Sequence, residues 1–178
     1  MVARHTIPWR VLLIALALAV ACAFADSGDP EPAPHFHAKT LDGAQFDNDS
    51  IKGKVVLLEF WTTWCPYCAA EENLVDRLGA EFGEKGLIVL AVNVGESKKT
   101  VKKYLANSPR KTPVVVTDDT NLAAMYEATV YPIYVVIGRD GNIAGTQRGA
   151  GGERALRELL AQAGIKSNKN QDAEQADQ

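Results

Sequence analysis

The sequence predicts an α/β domain in which a mixed β-sheet carries helices on both faces. Two near-continuous apolar runs, Val55 to Trp61 and Leu87 to Val94, are typical of strands that are buried on both sides of a sheet. Segments with apolar residues at helical spacing alternate with these and later strands. A hairpin and a helix close the pattern, which favours one mixed sheet between helical layers.

The elements follow in order along the chain. Two short strands, Phe36 to Lys39 and Ala44 to Phe46, flank the turn pair Asp42-Gly43 and predict a hairpin. The first buried strand leads into a helix from Ala69 to Phe82, whose leucines share one face. After the second buried strand come a helix Ser97 to Ala106, a strand Val114 to Thr117, a helix Asn121 to Tyr126, strands Ile133 to Ile137 and Asn142 to Gln147, and a helix Glu153 to Ala163.

Residues 1–25 predict a signal peptide. Two arginines precede an apolar stretch that ends in Ala23-Phe24-Ala25, before an acidic and proline-rich segment. The stretch is shorter than the ~20 residues of a membrane span, which favours cleavage after Ala25. Lipidation at Cys22 and an uncleaved N-terminal anchor are the alternatives. All three interpretations place the domain in the periplasm or elsewhere outside the cytoplasmic membrane.

The rest of the chain divides into three predicted parts. Residues 26–34 form a linker rich in proline, residues 35–165 form the folded domain, and residues 166–178 form a polar, disordered tail. The formal net charge is −3, and removal of the basic N-terminal segment makes the remainder more acidic. This charge argues against a nucleic acid as a partner.

Cys65 and Cys68 follow the first buried strand in the order Trp64-Cys65-Pro66-Tyr67-Cys68. Two residues between cysteines at a strand-to-helix junction let the sulfurs close a disulfide, and the helix N-terminus favours Cys65 as a thiolate. The pair predicts dithiol redox chemistry, with a zinc site and a purely structural disulfide as alternatives. Zinc needs about four ligands, and the sequence has no second CxxC. We therefore expect no metal and no cofactor other than the redox-active disulfide.

Several motifs together resemble the extracytoplasmic thioredoxin-like proteins of the ResA/TlpA/CcmG group. They are the run GKVVLLEFWTTWCPYC, the acid Glu71 three residues after the second cysteine, the stretch AVNVGESK, and a proline before the strand IYVVI. The resemblance implies a thioredoxin-like fold with an N-terminal hairpin, matched by Phe36 to Phe46. It also implies an inserted helix-strand unit, matched by Ser97 to Thr117.

The resemblance also implies roles for single residues. Cys65 is expected to be the exposed nucleophile and Cys68 the shielded resolving thiol. Pro66 fits the first helical turn. Pro66 and Tyr67 are both expected to contact substrate, and Tyr67 is also expected to tune the reduction potential.

The resemblance implies a substrate groove beside the disulfide. Pro132 is expected to be a cis-proline, and the backbone of Tyr131 before it is expected to accept an extended substrate strand. Trp64 is a further candidate for the substrate surface.

Glu59 and Glu71 are the candidate proton-transfer groups. Glu59 interrupts the apolar first strand and occupies the place of the buried acid of thioredoxin, whereas Glu71 matches the acid of the ResA-like members. Either acid is a candidate to exchange protons with Cys68. The alternatives are a wet, edge-facing side chain for Glu59 and a solvated helix-face charge for Glu71.

We therefore expect a thiol-disulfide oxidoreductase. The resemblance implies protein disulfide substrates, with reduction of apocytochrome c CxxCH cysteines, and electrons from a membrane thiol reductase of the CcdA/DsbD type. A disulfide oxidant or isomerase and a Sco-type copper metallochaperone are the alternatives. A peroxidase of the peroxiredoxin type is disfavoured, because Leu58 stands where its PxxxTxxC motif has proline.

Overall fold

The computed structural model describes residues 30–166, so the predicted signal peptide, Cys22 and nearly all of the predicted tail lie outside the described residues. The elements in chain order are β1 His37–Thr40, β2 Gln45–Asp47, β3 Val55–Trp61, α1 Pro66–Phe82, a 3₁₀ turn Gly83–Lys85, β4 Leu87–Asn93, α2 Lys98–Asn107, β5 Val114–Thr120, α3 Leu122–Met125, β6 Ile133–Ile137, β7 Ile143–Arg148 and α4 Gly152–Gln162.

The seven strands form one sheet in the order β2-β1-β5-β4-β3-β6-β7. The central strand β3 pairs in parallel with β4 and antiparallel with β6, and β4 pairs in parallel with β5. The hairpin β1-β2 joins the far edge because β1 pairs antiparallel with β5. The predicted mixed sheet is confirmed.

Alternate residues of β3 face different helices, as the two-residue period of a strand requires. Val56, Leu58 and Phe60 pack in a cluster that includes Leu122 of α3. Val55 and Leu57 face the other way and share a cluster with buried residues of α1 and α4, namely Leu74, Val75, Leu78, Phe82, Leu156, Leu159 and Leu160. Helices therefore cover both faces, as predicted.

Two element boundaries differ from the sequence prediction by more than one residue, and several others differ by one. Helix α1 begins at Pro66 rather than Ala69, because Cys65 caps it. Strand β5 continues to Thr120, which pairs with Ala38 of β1. Helix α3 is a single turn, Leu122–Met125.

Part of the predicted linker packs on the domain. Pro32 forms an isolated antiparallel bridge with Asn142, and the Ala33 backbone N–H donates to the Gly141 carbonyl at 3.0 Å. Ala33 is buried in the core cluster beneath the hairpin. Between residues 30 and 166, the chain contains no helix that is long and apolar enough to cross a membrane.

Candidate redox site

Cys65 and Cys68 form a disulfide at the start of α1, with their Cα atoms 5.3 Å apart. Cys65 is the N-cap residue, and its Sγ accepts a hydrogen bond of 3.2 Å from the Cys68 backbone N–H. Pro66 occupies the first helical turn, where its missing N–H is not needed. The Cys68 N–H and the positive end of the helix dipole therefore favour the Cys65 thiolate when the disulfide is reduced.

Both cysteines are buried in the disulfide form. Cys65 is 4% exposed and Cys68 is 2% exposed, so the expectation of an exposed Cys65 is wrong for this state. The reason is packing: the disulfide lies in a cluster with Trp61, Val101 and Val116, which come from β3, α2 and β5.

An aromatic rim surrounds the disulfide. Trp64 is 68% exposed and Tyr67 is 65% exposed, although both flank buried cysteines. The rings of Trp64 and Tyr131 are nearly perpendicular and meet edge to face, with their centroids 5.8 Å apart. The Tyr131 hydroxyl donates to the Ala128 carbonyl at 2.9 Å, and the Tyr131–Pro132 peptide bond is cis, as expected. The predicted substrate-surface residues thus lie beside the disulfide.

Glu96 holds the segment that precedes Cys65. The backbone N–H and the hydroxyl of Thr63 each donate to Glu96 at 2.6 Å, and the Asn93 side chain donates to it at 2.8 Å. Burial opposes ionisation, but these hydrogen bonds outweigh it and lower the pKa of Glu96. Glu96 belongs to the motif AVNVGESK, but a glutamate in a loop has no periodic pattern that predicts these contacts.

Glu59 is fully buried, and its partner is Arg110. The guanidinium Nη2 donates to Glu59 Oε2 at 2.5 Å, and the Arg110 side chain is 1% exposed. The alternative of a wet, edge-facing Glu59 is therefore wrong. Burial raises the pKa of Glu59, and the charge of Arg110 opposes that rise. The sequence indicated Arg110 only indirectly, because a carboxylate on a strand that is buried on both faces requires a nearby cation or a bound proton.

Glu71 is also buried, so the alternative of a solvated helix-face charge is wrong. Its two oxygens accept hydrogen bonds from the Tyr134 hydroxyl at 2.8 Å and from the Gly152 backbone N–H at 2.6 Å. Burial first, and then the nearby carboxylates Glu59 and Glu71, raise the pKa of the Tyr134 phenol, which stays a hydrogen-bond donor. Glu71 therefore ties α1 to β6 and to the start of α4.

The family match covers most of the described chain. The AhpC/TSA family matches residues 30–146, a range that contains the disulfide, both buried acids and the aromatic rim. The chain belongs to the AhpC/TSA family. Thiol-disulfide oxidoreductase ResA of Bacillus cereus is 31% identical over 111 residues, which cover 62% of this chain and 64% of that protein. ResA of Halalkalibacterium halodurans is 28% identical over 128 residues, 72% of this chain and 73% of that protein.

A solved structure is similar to this AhpC/TSA-family chain throughout the domain. It is a thiol:disulfide interchange protein, a thioredoxin family protein, from Chlorobium tepidum, with a TM-score of 0.68 and 28% sequence identity. The match covers 78% of this chain and 99% of that chain. These relatives confirm the thioredoxin-like fold, the resemblance to ResA and the predicted enzyme class, thiol-disulfide oxidoreductase.

The site of this AhpC/TSA-family domain is built from protein groups. Across residues 30–166, no group of three or more His, Cys, Asp or Glu side chains lies close enough together to hold a metal ion. The described site contains the Cys65–Cys68 disulfide, the two buried acids and the aromatic rim.

Proposed function

We propose that this domain reduces disulfides of other proteins outside the cytoplasmic membrane. The observation that carries the proposal is the Cys65–Cys68 disulfide, which caps α1 beneath an exposed aromatic rim. A helix N-terminus stabilises a thiolate, and the thiolate is the species that attacks a disulfide.

The reaction follows from the position of the two sulfurs. In the reduced protein, the Cys65 thiolate attacks one sulfur of a substrate disulfide and forms a mixed disulfide, which releases the first substrate thiolate. Cys68 then attacks Cys65 Sγ, which releases the second substrate thiolate and restores the Cys65–Cys68 disulfide. The substrate gains two electrons and the domain loses two. Cys68 is placed to resolve the mixed disulfide because its Cα lies 5.3 Å from that of Cys65, a separation that a disulfide bond spans.

The remaining site residues have supporting roles. Trp64, Tyr67 and Tyr131 present a rim for an extended substrate peptide, and Pro132 positions the Tyr131 backbone beside it. Pro66 starts the helix that carries both sulfurs. Glu59 and Glu71 are the buried acids assigned to proton exchange with Cys68.

The substrate assigned to this chemistry is apocytochrome c, whose CxxCH cysteines must be reduced before haem attaches. This assignment follows the resemblance to the ResA/TlpA/CcmG group, and the location follows from the N-terminal signal-like residues 1–25. Turnover requires a source of electrons, for which a membrane thiol reductase of the CcdA/DsbD type is the proposed partner.

The reduction potential of the Cys65–Cys68 pair tests the proposed direction. It is measured by equilibration with glutathione, alongside turnover of a CxxCH peptide disulfide by the reduced protein. A potential below about −200 mV with peptide reduction supports a reductase. A value near about −120 mV indicates a disulfide oxidant and overturns the proposed direction.

A further inference from the structure

The inserted unit of the fold supplies the cation for the buried acid of the central strand. Arg110 lies in the loop between α2 and β5, and its guanidinium reaches Glu59 on β3. Opposite Glu59 on the neighbouring strand β4 is Ala91, which has no charge to offer. The guanidinium also lies over the Trp61 ring, with its carbon 5.3 Å from the ring centroid. Trp61 belongs to the cluster that contains both cysteines.

Several hydrogen bonds that do not involve the arginine side chain fasten the loop to α1, and Arg110 Nε adds a longer ion pair with Asp76 Oδ1 at 3.9 Å. The backbone N–H groups of Lys111 and Thr112 donate to Asp76 at 2.7 and 2.9 Å, and the Ser108 hydroxyl donates to Glu72. Anchoring of the loop therefore does not require a buried guanidinium. Because burying a charged group is costly, we attribute the buried position of the guanidinium to its ion pair with Glu59.

The surroundings of Glu59 are otherwise acidic or neutral. The titratable groups that face it are Glu72 and Asp76 from α1, Tyr134 from β6, and Arg110 from the loop. Arg110 alone among these is positive. Glu59 Oε2 accepts the Arg110 hydrogen bond, whereas Oε1 is buried and has no hydrogen-bond partner within residues 30–166. Of the two carboxylate oxygens of Glu59, Oε1 is therefore the one that is placed to accept a proton.

We propose that Arg110 is a positioning residue for thiol-disulfide exchange, because it holds Glu59 as a carboxylate whose Oε1 accepts the proton of the resolving Cys68 thiol. The inference rests on the proposed function. Glu72, one of the charged neighbours of Glu59, lies one helical turn after Cys68 on α1. The pair is therefore beneath the helix that carries the resolving cysteine.

The Cys68 S–H gives its proton to Glu59, and the resulting thiolate attacks Cys65 Sγ of the mixed disulfide. The Cys65–Cys68 bond forms while the bond between Cys65 and the substrate sulfur breaks, and the substrate sulfur leaves with the electron pair as a thiolate. Without Arg110, burial and the two carboxylates on α1 keep Glu59 protonated, so it cannot accept the proton.

The test separates the two chemical steps in time. Reduced protein is mixed rapidly with an aromatic disulfide that releases a coloured thiol, once when Cys65 attacks and again when Cys68 resolves the mixed disulfide. Both rates are followed from about pH 5 to pH 9. The variants are Arg110→Met, Arg110→Lys, Glu59→Gln and, as a matched control, Ser108→Ala, which removes a fastening of the same loop and leaves the ion pair intact.

We expect Arg110→Met to leave the first rate unchanged and to slow the second about tenfold at neutral pH for each unit by which the pKa of Glu59 rises. The second rate should recover as the pH rises. Arg110→Lys should restore most of it, Glu59→Gln should be slow without recovery, and Ser108→Ala should match the wild type. If Arg110→Met does not fold, Arg110→Gln, which keeps a neutral donor, should show the same shifted profile.

An unshifted second-step profile in the folded Arg110 variants would overturn the inference. Equal slowing of both steps, with the same loss in Ser108→Ala and no rescue by lysine, would assign Arg110 a structural role instead. The proposed function fails separately, if the wild type releases only one thiol and does not reduce a CxxCH peptide disulfide.

Discussion

The Tyr134 hydroxyl donates a 2.8 Å hydrogen bond to Glu71, one helical turn after the resolving cysteine. On the neighbouring strand β3, the residue directly opposite Tyr134 is Glu59. One tyrosine therefore bonds the buried acid of α1 and lies opposite the buried acid of β3. The two acids differ in their partners, because Glu71 accepts neutral donors and Glu59 accepts a guanidinium.

Tyr134→Phe should lower the free energy of unfolding by about 1–3 kcal/mol, because the buried Glu71 loses a hydrogen-bond donor. Tyr126→Phe is the matched control. Its hydroxyl is buried without a hydrogen-bond partner in the described part of the chain, so its removal should be neutral or stabilising. Denaturant unfolding of both variants measures the difference, and equal losses in the two would contradict a stabilising Tyr134–Glu71 bond.

The stability of the domain should depend on pH through Glu59. Burial raises its pKa above the ordinary value of 4.5, so the folded state holds this proton more tightly than the unfolded state does. The contribution of Glu59 is therefore complete below the unfolded pKa and is lost as the pH rises through the folded pKa.

Glutamine does not titrate, so Glu59→Gln should remove this dependence of stability on pH. The free energy of unfolding of the variant, relative to the wild type, should rise as the pH increases from about 4.5 towards neutrality. Denaturant unfolding at a series of pH values measures it. Parallel curves for the two proteins would mean that the folded pKa of Glu59 is not raised.

Trp64→Ala should change substrate selectivity rather than stability. The ring is 68% exposed and contacts Tyr131, so its loss removes proposed peptide-binding surface and little packing. We expect turnover of a CxxCH peptide disulfide to fall about tenfold, the equivalent of one lost contact of about 1.4 kcal/mol. Turnover of a small-molecule disulfide should be retained.

Tyr131→Phe keeps the ring against Trp64 and loses only the hydroxyl that bonds Ala128, so it should behave like the wild type in the same assay. Equal losses of Trp64→Ala on both substrates would show that the rim serves the disulfide itself and not peptide recognition.

Sequence patterns predicted the fold because they are local and repeated. The apolar run of β3 specifies a strand buried on both faces, and the same run makes Glu59 conspicuous as a carboxylate that needs a partner. The CxxC spacing and Pro66 specify the capped start of α1. Each of these signals lies within a few residues of the feature that it predicts.

The partners of the acids were not predictable in the same way. Arg110 belongs to the loop segment SPRKTP, which has no periodicity, and only the packing of that loop against α1 brings the guanidinium to β3. The position of Tyr134 in an apolar strand indicated burial but not its bond to Glu71. Exposure of Cys65 was predicted wrongly because tertiary packing by α2 and β5 covers the disulfide.

The most direct test of the account is the division of labour between the two cysteines. Cys68→Ala and Cys65→Ala variants are reduced, incubated with a CxxCH peptide disulfide, quenched with acid and analysed by intact mass. We expect Cys68→Ala to accumulate a mixed disulfide with the peptide, because Cys65 attacks and nothing resolves it. Cys65→Ala should accumulate little or none. A mixed disulfide that accumulates on Cys65→Ala instead would contradict the assignment of Cys65 as the nucleophile.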